Sequence, residues 1–196
     1  MIMKLHSLFP TELWEAESTD IDNEAIGNTI LEIEKEESTI SRSNIGGWHS
    51  YTGLATDYRF SDVTNFVTEN FKHVFLSNNY KPELYFRLAG MWAIVNREDH
   101  FNRTHIHDGA DWSFAYYVKA PKGSGSIVWD DPRVRKEMRP SSFLVRNFNN
   151  PASHDCYHQT PSDGKLFIFP AWLLHYVNPN LSGEVRIVIS GNIIIS

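Results

Sequence analysis

Residues Asn102–Val118, NRTHIHDGADWSFAYYV, begin around a pair of histidines and end in a strand. The closing run Trp112–Val118 is aromatic and apolar, the composition that fits a pleated, buried surface. His105 and His107 stand just before it. In extended chain, residues i and i+2 project to the same face, so both imidazoles can converge on one point while Ile106 turns the other way into apolar packing. Asp108 and Asp111 read as turn residues before the strand.

On either side the texture separates into two halves. From Glu83 onward, short β-type runs alternate with Gly, Pro, Asn and Asp. Besides Trp112–Val118 they are Leu84–Val95, Ser126–Trp129, Ser142–Arg146, Lys165–Phe169 and Val185–Ile195. The first half carries helical patterns instead. Ile26, Ile30 and Ile33 recur at helical spacing behind the cap candidates Asp20 and Asp22, and Val63, Phe66, Val67, Phe71, Val74 and Phe75 form one apolar stripe from about Ser61 to Leu76. Short strands after helices predict a mainly β fold, a sandwich or barrel buttressed on one face, within a single domain spanning 1–196: a helical part, 1–82, on a β core, 83–196. Asn147–Asp163 lacks any periodicity and reads as a long loop.

Composition excludes several classes. Six Trp, eight Tyr and twelve Phe in 196 residues rule out intrinsic disorder. Eighteen basic against twenty-four acidic residues give a net charge of −6, and the absence of any Lys/Arg run speaks against nucleic acid as partner. No apolar stretch is long enough for a bilayer, the N-terminus lacks the apolar core of a secretory signal, and the single cysteine, Cys156, excludes an internal disulfide or a Cys-rich zinc site. The expectation is a cytoplasmic protein without a membrane partner. An exposed sheet edge would suit a homodimer.

A third histidine, His175, follows the run Gly164–Pro170, where a strand ends at a proline turn and the next begins. His-x-His on one strand with a distant His on its neighbour is the arrangement for three-point binding of a first-row metal, although imidazole alone does not say which. Arg186 lies inside the apolar run Val185–Ile195. A guanidinium there needs an anionic partner, either a structural carboxylate or a bound one. His154 and His158 are four apart, but Pro151 and Pro161 flank them and no helical pattern supports a second metal site.

Taken together these landmarks resemble the 2-oxoglutarate/Fe(II)-dependent oxygenases, in particular a small family of marine bacteria and their phages. The resemblance runs through Leu8-Phe9-Pro10-Thr11, Ser43–Ser50, Asn102-x-x-His105-x-His107, Tyr116-Tyr117-Val118, Asp131-Pro132-Arg133, Gly164-x5-Pro170-x4-His175-Tyr176-Val177 and Arg186-Ile187-x-Ile189. It implies a double-stranded β-helix, or jelly roll, with N-terminal buttressing helices and a metal at the barrel mouth. It also implies Fe(II) as cofactor, 2-oxoglutarate as cosubstrate, and hydroxylation of an unknown substrate, small molecule or protein, coupled to decarboxylation of the oxo acid.

By that resemblance His105 and His175 match the two histidines of the metal triad, and Arg186 matches the residue that binds the far carboxylate of 2-oxoglutarate. The family usually has Asp or Glu where this chain has His107. Three imidazoles leave the full 2+ charge of the ion uncompensated, whereas a carboxylate would halve it. The expected ligands are His105, His107 and His175, with Asp108 as fallback; using both His107 and Asp108 would need a bulge. Tyr116 is a candidate for hydrogen bonding the cosubstrate, and Trp129 for the pocket wall or the core. Two other readings stand beside this one. The Gly-x5-Pro spacing and His-x-His also suit a cupin-type three-His dioxygenase or isomerase that does not use 2-oxoglutarate. A jelly-roll binding module with incidental histidines is the other.

Overall fold

The computed structural model describes residues 9–133 and 156–196, with residues 3, 4 and 6 besides. Two antiparallel sheets face each other. The larger has six strands, taken in chain order as β1 (Trp14–Glu17), β3 (Trp48–His49), β4 (Phe86–Asn96), β6 (Trp112–Lys119), β9 (Lys165–Pro170) and β11 (Arg186–Ile195). Their spatial order is β1-β9-β6-β11-β4-β3. The smaller comprises β2 (Asn44–Ile45), β5 (Phe101–His105), β7 (Ile127–Asp130), β8 (Cys156–Gln159) and β10 (His175–Val177), in the order β2-β5-β10-β7-β8. The expected mainly β jelly roll is the fold found.

Two helices cover the outer face of the larger sheet. In α1 (Asn23–Glu36) the Asp22 side chain accepts from the Ala25 amide at 3.0 Å, capping the first turn, and Ile26, Ile30 and Ile33 are buried. In α2 (Ser61–Ser77) Val63, Val67, Phe71 and Val74 are buried, and Phe71 meets Phe86 and Trp112 edge-on at 4.8 and 5.9 Å. Fully burying a side chain of this kind contributes roughly 1.5–3 kcal/mol, so the stripe fixes the helix on the sheet.

Strand alternation sorts the larger sheet into two cores. On β6, Phe114, Tyr116 and Val118 join the helical layer, with Leu166 and Ile168 from β9 and Ile187 and Ile189 from β11. Ala115 and Tyr117 belong to the barrel interior with Phe167, Phe169 and Val188. Because the side-chain period is two, each strand presents an apolar set outward to the helices and a mixed set inward. The inward set carries the chemistry.

The N-terminal part differs from the helical expectation. It also contributes β1, which pairs with β9, β2 with β5, and β3 with β4. These strands are too short for periodicity to register. The expected loop Asn147–Asp163 is likewise interrupted, since Cys156–Gln159 is a strand paired with β7. The expected strand Ser142–Arg146 and the remainder of that loop up to residue 155 lie outside the described residues, as does His154. His158 sits on β8, so the helical spacing from His154 is not realised at that end.

Candidate metal centre

The metal-site candidates come from the smaller sheet. His105 closes β5 and His175 opens β10, and the two are direct cross-strand partners. Paired residues on neighbouring strands share a face, so both rings enter the barrel, their centroids 4.3 Å apart. His107 lies two residues beyond the end of β5. Its backbone amide donates to Ala171 O at 2.9 Å, and its ring comes within 5.2 Å of His105 and 5.1 Å of His175. One ligand nitrogen from each ring lies within 4.8 Å of the other two.

Each Nδ1 has an acceptor. His105 Nδ1 donates to Arg103 O at 2.7 Å, His175 Nδ1 to Leu173 O at 2.8 Å and His107 Nδ1 to Asn192 Oδ1 at 2.6 Å. Those bonds place the single ring proton on Nδ1, so every Nε2 presents a lone pair. The Ser43 hydroxyl, 3.4 Å from His105 Nε2, can donate to that lone pair. His107 Nε2 and His175 Nε2 lie 3.3 Å apart with no proton left to share between them. Converging lone pairs are what a cation requires and what a bare hydrogen-bond network avoids. Burial, first, and the neighbouring imidazoles, second, push His175 down to about 3 and His107 down to about 4, so both are neutral at physiological pH. His105 is lowered too, by burial foremost.

Asp108 occupies the turn after His107 and lines the cavity, but it stands outside the three-nitrogen group. Ile106 is not in apolar packing as expected; it is 41% exposed, because β5 has already ended at His105.

Behind the histidines a cavity of about 680 Å³ extends between the sheets. Arg186, fully buried, contributes to its lining from β11. Its Nη1 donates to Asn178 O at 3.0 Å and to Ser124 O, while Nε and Nη2 have no protein partner. No carboxylate of the described residues pairs with it, so no ion pair among them explains this residue. Two adjacent guanidinium N–H groups left over in a buried wall are the fork that takes a carboxylate bidentately. Gly125 makes the seat possible: its φ is +91°, and a Cβ there would come within 2.9 Å of Arg186 Nη1.

Tyr116 is not in this wall. Its hydroxyl donates to Asn23 Oδ1 at 2.8 Å and its ring packs edge-on against Phe66, in the helical layer. The expectation for Tyr116 is corrected by parity. Its register partner on β11 is Ile189, whereas Tyr117 pairs with Val188, on the same face as Arg186. Tyr117 lines the cavity, its hydroxyl is buried without a partner, and burial raises it to about 12. Trp129 packs against Phe167 and Phe169 at 5.5 Å and belongs to the barrel core.

Other cavity residues escaped the sequence reading. Asn96, the register partner of Arg186, has both amide atoms buried and unpartnered. Asn192 holds His107. Trp92 is stacked between His49 and His107, with centroids at 5.5 and 5.7 Å. Counting by twos from Arg186 reaches Val188, Ser190 and Asn192, so the alternation did contain a signal for the last.

The sequence of residues 90–192 matches a family model described as "Putative 2OG-Fe(II) oxygenase". The chain belongs to this 2OG-Fe(II) oxygenase family. The match runs from within β4 through most of β11, hence over all three histidines and Arg186. The oxygenase matches no curated protein sequence. Among solved structures, its fold is similar to a Pseudomonas putida prolyl-4-hydroxylase (TM-score 0.62, 12% identity, 94% of this chain and 92% of that one). It is also similar to the viral collagen prolyl hydroxylase of Paramecium Bursaria Chlorella virus-1 in its 2OG complex (0.58, 12%, 92% and 94%). A third is HygX from Streptomyces hygroscopicus with nickel, 2-oxoglutarate and hygromycin B bound (0.58, 11%, 93% and 82%). At such identities the likeness establishes the double-stranded β-helix of this oxygenase; its cofactor class, Fe(II) with 2-oxoglutarate, comes with the family. No helix among the described residues is long and apolar enough to cross a membrane.

Proposed function

We propose that this 2-oxoglutarate-dependent oxygenase holds Fe(II) through Nε2 of His105, His107 and His175, and anchors the far carboxylate of 2-oxoglutarate on Arg186. The observation that carries the assignment is the combination in one cavity of three imidazoles tied through Nδ1, with their Nε2 lone pairs convergent, and a buried guanidinium with two unpartnered N–H groups. The residues present therefore fit both groups. Iron, when bound, supplies the redox chemistry by which 2-oxoglutarate and O2 become succinate and CO2 while a C–H bond of the substrate is hydroxylated.

The chain's own residues supply position and environment. Leu173 O, Arg103 O and Asn192 Oδ1 fix the ring orientations, which sharpens the site as the hydrogen bonds around metal ligands generally do. Arg186 offers a fixed fork, so the oxo acid enters in one direction. Tyr117 and Asn96, unpartnered beside it, can donate to the same carboxylate. The stacked His49 and Trp92 and the Phe169 ring wall off water. A cytoplasmic location belongs to this reading, supported by a chain with one cysteine.

The test is anaerobic titration of 2-oxoglutarate into the Fe(II) protein. A charge-transfer band that appears in the parent and is absent in Arg186→Ala is the expected result; no band and no calorimetric binding in the parent would overturn it. The cupin-type alternative predicts that Arg186→Ala leaves metal chemistry intact, and nothing in the cavity favours it.

A further inference from the structure

The cavity opening carries charge that the cosubstrate does not use. Among the described arginines, Arg59, Arg97 and Arg133 each pair with a carboxylate, whereas Arg42, Arg87, Arg103 and Arg186 do not. Three of those four line the cavity. This is a chain with six more acidic than basic residues, in which a carboxylate is the easier partner to provide. Among the described residues Asp108 is the one acid in the lining, and it has no ion pair with either exposed arginine.

Arg42 and Arg103 are exposed and mark the opening, while Arg186 is buried at the inner wall. They are held next to each other by the β2–β5 pairing. The Arg103 amide donates to Ser43 O at 3.0 Å, its Nη2 to Arg42 O at 3.2 Å, and the Arg42 amide to Asn44 Oδ1 at 2.8 Å.

Under the proposed function, 2-oxoglutarate has two carboxylates, one for the iron and one for Arg186. Two guanidinium groups remain at the opening without an anion. We propose that the substrate oxygenated by this protein carries an oxyanion, a carboxylate or a phosphate ester, bound by Arg42 and Arg103. Such an anchor fixes one end of the substrate at the mouth and points the remainder inward along His49 and Trp92 toward the three histidines. The inference rests on the assignment of Arg186 to the cosubstrate.

The experiment uses the full chain with zinc(II) in place of iron and 2-oxoglutarate present, the arginine side chains labelled with 15N. Inorganic phosphate is titrated in one arm and acetate in the other, at low salt. The Arg42 and Arg103 Nε–Hε signals are expected to shift with one of the probes. Arg42→Gln and Arg103→Gln should each weaken it about tenfold, while Arg87→Gln leaves it unchanged. The tighter probe names the substrate group. Absence of a shift with both probes, an equal shift at Arg87, or parental affinity in the R42Q/R103Q double variant would overturn the proposal. The Arg186 signal reports the other reading separately: if 2-oxoglutarate fails to shift it, the proposed function fails, whatever happens at the mouth.

Discussion

The Nδ1 of His107 donates to the Oδ1 of Asn192 at 2.6 Å, joining one of the three clustered histidines to the inward face of β11. Of the three acceptors it is the one provided by a side chain. Replacing Asn192 with Leu keeps the volume and removes the acceptor, so the His107 ring loses its preferred tautomer and orientation. We predict metal affinity lower by about 10–100-fold, read by chelator competition with zinc or manganese, with a thermal midpoint close to the parent's. Unchanged metal affinity would show that His107 is not a ligand.

Tyr116 and Tyr117 make a paired test of strand parity. Tyr117→Phe removes a buried hydroxyl beside Arg186 and should weaken 2-oxoglutarate binding about tenfold, the cost of one hydrogen bond to a charged group. Tyr116→Phe removes the bond to Asn23, so stability should fall by about 1 kcal/mol in urea unfolding while 2-oxoglutarate affinity stays the same. The reverse pattern would place the cosubstrate on the wrong side of the sheet.

That pair also shows what could be read from sequence. The helices were legible because Ile26, Ile30, Ile33 and the Val63–Phe75 stripe repeat with a period set by one helix and one face. His105, His107, His175 and Arg186 were legible because charged and ligating side chains stand out against apolar strands. Tyr116 and Tyr117 were not distinguishable, since both are buried and a strand covered on both faces does not alternate in polarity. The face is set by pairing with Ile189 and Val188, a long-range register. The two-residue strands Asn44–Ile45 and Trp48–His49, which bring Arg42 and His49 to the cavity, are shorter than any period.

Acid should destabilise the metal-free protein well before its carboxylates titrate. His175 and His107 are pushed down to about 3 and about 4 in the folded chain by burial first and neighbouring imidazoles second, against an ordinary value of 6.5. Below about pH 6.5 the unfolded chain therefore takes up protons that the folded chain refuses. Stability is complete above that pH and falls as pH drops toward 4, by up to about 1.4 kcal/mol per pH unit for each residue. Urea midpoints between pH 7.5 and 4.5 in the presence of a chelator measure it. His175→Phe should flatten the curve, and a parent midpoint independent of pH would contradict the neutral, buried state of these rings.

Arg186 sets function against stability. A guanidinium with two unpartnered N–H groups in a buried wall is a net cost to the folded chain, because desolvating a charge amounts to several kcal/mol and only Nη1 recovers hydrogen bonds, from Ser124 O and Asn178 O. Arg186→Met keeps comparable bulk against Val188 and Tyr117, discards the charge, and leaves those two carbonyls without a donor, a loss of about 1 kcal/mol each. The first effect is the larger, so we predict a variant about 1–3 kcal/mol more stable than the parent in urea, with metal binding retained and 2-oxoglutarate binding lost by more than about 100-fold. A variant less stable than the parent by a similar margin would instead make Arg186 a structural strut, clasping the 122–126 turn to β11.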